Sequence, residues 1–199
     1  MNKIFRAKVL SLRPQFAVTG SYFYYVPVGR VLCGFLLERV RGHAYVWRYA
    51  MPLYERMDIL NLNFGERLPE PEGSMWGFGT GADAAVEFVR RIEPYERETL
   101  TWHDPDVLLR RYEHSPAMGN PWVRRSIAWT YILVGRLAEA RAHLQALLSA
   151  DGVDRYPHFI DDIRLMLNSM DSGLDEARRL LVAWEQQTKR QLNIGESPA

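Results

Sequence analysis

The stretch LAEARAHLQAL, beginning at Leu137, recurs 37 positions later as LDEARRLLVAW, beginning at Leu174, with Leu, Glu, Ala, Arg, Leu and Ala in register. Apolar and small residues at steps of three and four mark one face of a helix. Each copy therefore predicts a helix, and each is preceded by another helical segment, residues 121 to 134 and 157 to 170. A repeat of this size is one supersecondary unit that cannot bury its apolar face alone and needs a stacked neighbour. The end of the chain is expected to form two helical hairpins in series, over 121–149 and 157–192.

The first third reads differently. Residues 2 to 12 carry Ile4, Phe5, Val9 and Leu12 at helical spacing, with Pro14 as a stop. From Ser21 the segments SYFYYVPV, RVLCGFLLERV and HAYVWRYAMPLY are β-branched and aromatic, separated by turn signals at Pro27 to Gly29 and Arg41-Gly42. In MDILNLNFGERL, Leu60, Leu62 and Phe64 alternate with Asn61 and Asn63, which predicts a fourth strand with one apolar face. The expected sheet is a four-stranded antiparallel meander with one face in water. After it, ERLPEPEGSMWGFGTGAD is the longest irregular stretch, and beyond Gly81 everything reads as helix, with Pro94 as an interruption. Asp104-Pro105 and Asn120-Pro121 each place a capping side chain before a proline at the first helical position.

The whole is an α+β chain: residues 1–65 helix plus antiparallel sheet, 66–81 a Gly/Pro-rich connection, and 82–199 a helical half within one compact unit. The first hairpin resembles a tetratricopeptide repeat. Ile127, Ala128 and Tyr131 take the apolar, small and aromatic positions of its first helix, Gly135 the turn, and Ala140 and Leu144 the small and large positions of its second. Arg124 stands where the family has Trp, no Pro closes the repeat, and the second copy keeps Ala177 and Leu181. The resemblance covers some 70 residues and implies protein binding.

Charge narrows the partner. Overall there are 25 basic and 24 acidic residues, yet residues 1–57 hold nine basic against two acidic and residues 58–106 hold four against eleven. Either the acidic segment folds back on the basic one, or the two present opposite surfaces to a partner, or both are scattered over solvated faces. Tyr22, Tyr24, Tyr45 and Trp47 lie among Arg30, Arg39, Arg41 and Arg48, as on a base-stacking sheet, but such aromatics also cover a core, and the balanced net charge argues against nucleic acid. No window of about 18 apolar residues predicts a membrane span, the opening lacks a secretory signal, and the expected location is cytoplasmic.

Catalytic signatures are sparse. GFGTGA fits G-x-G-x-x-[GA] through Gly77, Gly79 and Ala82, but no strand feeds the first glycine and no acidic residue ends a second strand some 20 positions on. A capping arrangement between Thr80 and Asp83 is the better account of the stretch. The five histidines have no metal-binding spacing, so neither metal nor cofactor is expected. Cys33, the single cysteine, lies in the apolar run VLCGFLL and is expected to pack in the core.

The function expected is therefore protein binding without catalysis. A cytosolic sheet-plus-helices build of this kind resembles the small immunity proteins that bacteria pair with secreted toxins. That resemblance implies occlusion of a partner's active site. Contacts are expected in the loop and its flanks, at Glu66, Glu70, Glu72, Trp76 and Asp83. The alternative is an enzyme or small-ligand protein using a cleft between sheet and helices, with His103, Asp104, Arg110 and His114 as its residues.

Overall fold

The computed structural model describes residues 1–40, 43–69, 79 and 81–195. It is α+β and divides into two compact units that interleave along the chain. One comprises Met1–Met51 and Phe64–His103, the other Pro52–Asn63 and the residues from Asp104 onward.

The first unit opens with α1 (Lys3–Leu12), capped by the Asn2 side chain, which accepts a hydrogen bond from the Ile4 N–H at 2.9 Å. A meander follows in the order β1 (Phe16–Thr19), β2 (Tyr22–Tyr25), β3 (Val31–Val40), β4 (His43–Pro52) and β5 (Phe64–Arg67). The sheet thus has five strands rather than the expected four. The additional one, β1, is four residues long with only Phe16 buried, too short for a period of two to show. Gly20, at φ +60°, makes the tight turn that pairs Thr19 with Tyr22.

The expected fourth strand shrinks to Phe64–Arg67, because the Asn61 side chain accepts a hydrogen bond from the Asn63 N–H at 3.1 Å. Such local side-chain bonding offers the backbone an alternative to a ladder. The expected wet face is also corrected at the centre of the sheet: Val31 to Leu37 are all buried, so β3 is covered on both faces. Continuous apolar runs of this kind mark a strand buried on both sides.

Helix α2 (Ala82–Thr101) belongs to this unit. Phe5 of α1, Phe23 of β2 and Phe88 of α2 form a triangle of rings with centroids 5.1 to 6.2 Å apart. Pro94 lies inside α2 and does not interrupt it. A proline there removes one N–H and strains a turn, at roughly 3 kcal/mol. Pro94 is exposed, while Ala85, Phe88, Val89 and Ile92 before it and Thr99 after it are buried, so packing on both sides holds the axis. Gly81 caps the helix without a side-chain bond, and Thr80 lies outside the described residues.

The acidic middle of the chain does fold back on the basic beginning. Arg13 pairs with Glu93 and Glu96, each at 3.0 Å, and Arg48 pairs with Glu66 at 2.6 Å and Glu98 at 2.5 Å.

The second unit is helical: α3 (Pro105–Tyr112), α4 (Pro121–Leu133), α5 (Leu137–Leu148), α6 (Pro157–Asp171) and α7 (Leu174–Gln191). The caps expected at Asp104 and Asn120 are present, each accepting from the N–H two residues on at 2.9 Å. Gly135 at φ +87° and Gly173 at φ +111° turn the chain between α4 and α5 and between α6 and α7. Ile127, Ala128, Ala140, Leu144, Ala177 and Leu181 are all 0% exposed, and Trp129 meets Trp184 edge-on at 5.6 Å. The two arginines matched by the repeat serve as ties: Arg141 pairs with Asp171 at 2.7 Å, and Arg178 donates to the Leu133 carbonyl at 2.7 Å.

Candidate functional site

Three features of the described residues stand out from ordinary packing. The first is a buried ion network in the helical unit. Glu55 is carried in by the Pro52–Asn63 segment, and its carboxylate accepts from Arg125 of α4 at 3.0 Å and from the Ser126 hydroxyl. Both charged side chains are about 95% buried. Thr188 of α7 donates its hydroxyl to the Glu55 carbonyl and accepts from the Met57 N–H at 3.3 Å. Tyr54 shares a 2.7 Å hydrogen bond with Thr130. Asp162 of α6 holds Arg56 at 3.0 Å and lies 3.7 Å from Arg125, whose guanidinium also covers the rings of Trp122 and Phe159 at 5.0 and 4.7 Å. Buried charges persist only when paired and hydrogen-bonded, and here every charge has a partner. The network pins an irregular segment to three helices. An open pocket of about 410 Å³ adjoins it, lined by Arg56, Asp58, His158 and Asp161 among others.

The second feature is a cleft of about 770 Å³ in the sheet unit, between the β2–β3 connection and α2. Its floor is Tyr25, Val31 and Cys33, all buried; Val26 of the β2–β3 connection and Leu100 of α2 also line it, both partly exposed; Arg97 and His103 are its exposed polar lining, at the rim. Its titratable groups are held rather than poised. Burial pushes the Cys33 thiol up to about 12, so it is neutral and poorly nucleophilic. Burial likewise raises the Tyr25 phenol well above its ordinary value, and its OH donates to the Glu96 carbonyl at 3.2 Å. The Glu96 carboxylate is raised by burial and engaged through both oxygens by the Arg13 Nε at 3.0 Å. His103 Nδ1 lies 2.5 Å from the Leu100 carbonyl, which makes it the donor and fixes the tautomer.

The third is an aromatic corner where α4 meets α6. Trp122 packs edge-on against Phe159 at 4.7 Å and Tyr156 at 5.8 Å around an apolar pocket of about 80 Å³. Trp122 is 37% and Tyr156 51% exposed. Large aromatics left in solvent on facing elements are what interaction surfaces are made of.

The residues expected to touch a partner are placed as follows. Glu66 is tied to Arg48, Asp83 is exposed in the first turn of α2, and Glu70, Glu72 and Trp76 lie outside the described residues. Of the alternative set, His103 stands at the rim of the cleft, Asp104 caps α3, Arg110 is exposed on α3, and His114 is 89% exposed beside Glu113. The aromatics weighed for base stacking are spent internally: Trp47 donates to Glu38 at 2.8 Å, Tyr45 lies under Arg67 at 3.5 Å, and Tyr24 is buried.

The ion network and the aromatic corner were not singled out in the sequence. Glu55 and Arg125 look like ordinary surface charges there, although Glu55 follows the apolar residues Leu53 and Tyr54 just beyond β4. Among the described residues no helix is long and apolar enough to cross a membrane, and no group of three His, Cys, Asp or Glu side chains could hold a metal ion. Compared with protein families, curated proteins and solved structures, the chain matches none.

Proposed function

We propose that this chain is a non-catalytic protein-binding module of the bacterial immunity type, which acts in the cytoplasm and neutralises a partner by covering its active site. The carrying observation is the exposed pair Trp122 and Tyr156 at the start of α4 and just before α6. We read the α4–α5 hairpin beside it as tetratricopeptide-like, a reading supported by the burial of Ile127, Ala128, Tyr131, Ala140 and Leu144. Repeats of this kind present helix faces to other proteins, and aromatic anchors are where binding energy concentrates.

Affinity capture of the full chain from its native source tests the reading, run beside a Trp122→Ala/Tyr156→Ala variant shown by circular dichroism to be folded. One protein partner at stoichiometric yield with the parent chain, lost with the variant, is the expected result. Recovery of the chain alone overturns it. A second reading, small-ligand binding, is favoured by the cleft beneath Arg97 and His103.

A further inference from the structure

We infer that the cleft between β2–β3 and α2 is a binding site for a small apolar ligand carrying one carboxylate. Among the described residues, none that lines this cleft also lines the pocket at the aromatic corner.

Shape and lining come first. Its volume of about 770 Å³ falls within the range of roughly 300–1,000 Å³ typical of small-molecule sites. The floor is built from Tyr25, Val31 and Cys33, whose side chains share the face of the sheet that carries Phe23 and Phe35. The thiol on that floor is uncharged, so the floor offers nothing to a ligand's charge and suits a hydrocarbon chain. Val26 of the β2–β3 connection, at 39% exposure, and Leu100 of α2, at 45%, both line the cleft. Apolar side chains left in water in one concavity gain free energy when an apolar occupant covers them, at roughly 25 cal/mol per Å².

Charge then selects the head group. One acid lines the cleft, Glu96, and Arg13 holds it at 3.0 Å together with Glu93 of the preceding turn. Arg97, one residue on and exposed at the rim, has no acidic partner among the described residues. A guanidinium presents a fork of donors that matches a carboxylate with two parallel hydrogen bonds. The His103 Nδ1–H donates a hydrogen bond to the Leu100 carbonyl oxygen, so in the neutral ring the other nitrogen accepts only. A guanidinium with no acidic partner among the described residues, beside an already paired Glu96, suits one negative charge and disfavours a phosphate dianion.

The test uses the full chain and three probes of equal length: decanoate, decanol and decylammonium. In calorimetric titration decanoate is expected to bind most tightly and decylammonium least. Arg97→Ala, an exposed position, is expected to weaken decanoate about tenfold while leaving decanol unchanged. A diazirine-bearing decanoate is expected to label, on irradiation, the peptides that contain residues 25–33 and 96–103. No binding of decanoate, equal binding of all three probes, an unaltered affinity in Arg97→Ala, or labelling confined to other peptides would each overturn the assignment.

Discussion

Glu55 and Arg125 stand 70 positions apart in the chain and meet at 3.0 Å with both side chains about 95% buried. Taking two charges out of water costs several kcal/mol each, and mutual attraction offsets this only when geometry and further hydrogen bonds are good. Removing one partner strands the other. Glu55→Leu and Arg125→Met are each expected to lower unfolding stability by about 3–5 kcal/mol in urea denaturation. The double variant should be markedly more stable than either single one, because Asp162 retains Arg56 and Ser126 retains the Trp122 carbonyl. A double variant whose loss equals the two single losses added together would show that the pair is not coupled.

Gly34 is a position in the sheet where no side chain fits. It pairs with Tyr24, and a Cβ built there would lie 2.0 Å from the Phe23 carbonyl oxygen. The obstacle is backbone inside the ladder, so relief requires moving β2 away from β3. Gly34→Ala is expected to cost at least about 1–3 kcal/mol, the usual range for overpacking. Gly29→Ala, where a Cβ meets nothing within 4 Å, is expected to leave the urea midpoint unchanged.

The legibility of this architecture follows from which interactions are local. The helix caps expected at Asp104 and Asn120 each use a bond to a residue two positions on, and such bonds are written in adjacent letters. The repeat at Leu137 and Leu174 shows in sequence because Ala140, Ala177, Leu144 and Leu181 must all vanish into the core at matching positions. The strand β1 was hidden because it owes its existence to pairing with β2, not to a pattern of its own. Pro94 misled for a related reason: its local cost is real, and distant packing outweighs it. The candidate sites were least legible. Neither Glu55 with Arg125 nor Val26 with Leu100 shares a local pattern; long-range folding brings each pair together.

His143 of α5 supplies a pH dependence. Its ring stacks on Tyr131 at 5.4 Å with only 6° between planes, and burial, aided by the positive charge of Arg124, lowers its pKa against a smaller opposing pull from Glu139. The folded chain therefore holds a proton on His143 less readily than the unfolded chain does. Its contribution to stability is complete above the ordinary histidine pKa, near 6.5, and is lost as pH falls through the lower folded value. Thermal unfolding of the parent chain is expected to lose more midpoint between pH 7 and pH 5 than His143→Phe, which keeps the stacked ring without the proton. Identical slopes for the two proteins would remove His143 from the account.

Arg48 is the hub that binds the acidic middle of the chain to the sheet. Its Nε and Nη2 both donate to one oxygen of Glu66, its cross-strand partner on β5, at 2.9 and 2.6 Å, and its Nη1 donates to Glu98 of α2 at 2.5 Å. The guanidinium also lies 4.9 Å from the ring centre of Trp102, which is 1% exposed, and its side chain is only 13% exposed. A lysine cannot reproduce this arrangement, since an ammonium is a point charge that neither forks nor stacks. Arg48→Lys is thus expected to recover less than half of the roughly 1–3 kcal/mol lost in Arg48→Ala. Because the donors are largely screened from solvent, raising NaCl from 0.05 to about 0.5 M should shrink the difference between parent and Arg48→Ala only slightly, whereas a surface pair would be largely screened. Full recovery by lysine in equilibrium denaturation would reduce Arg48 to a simple charge.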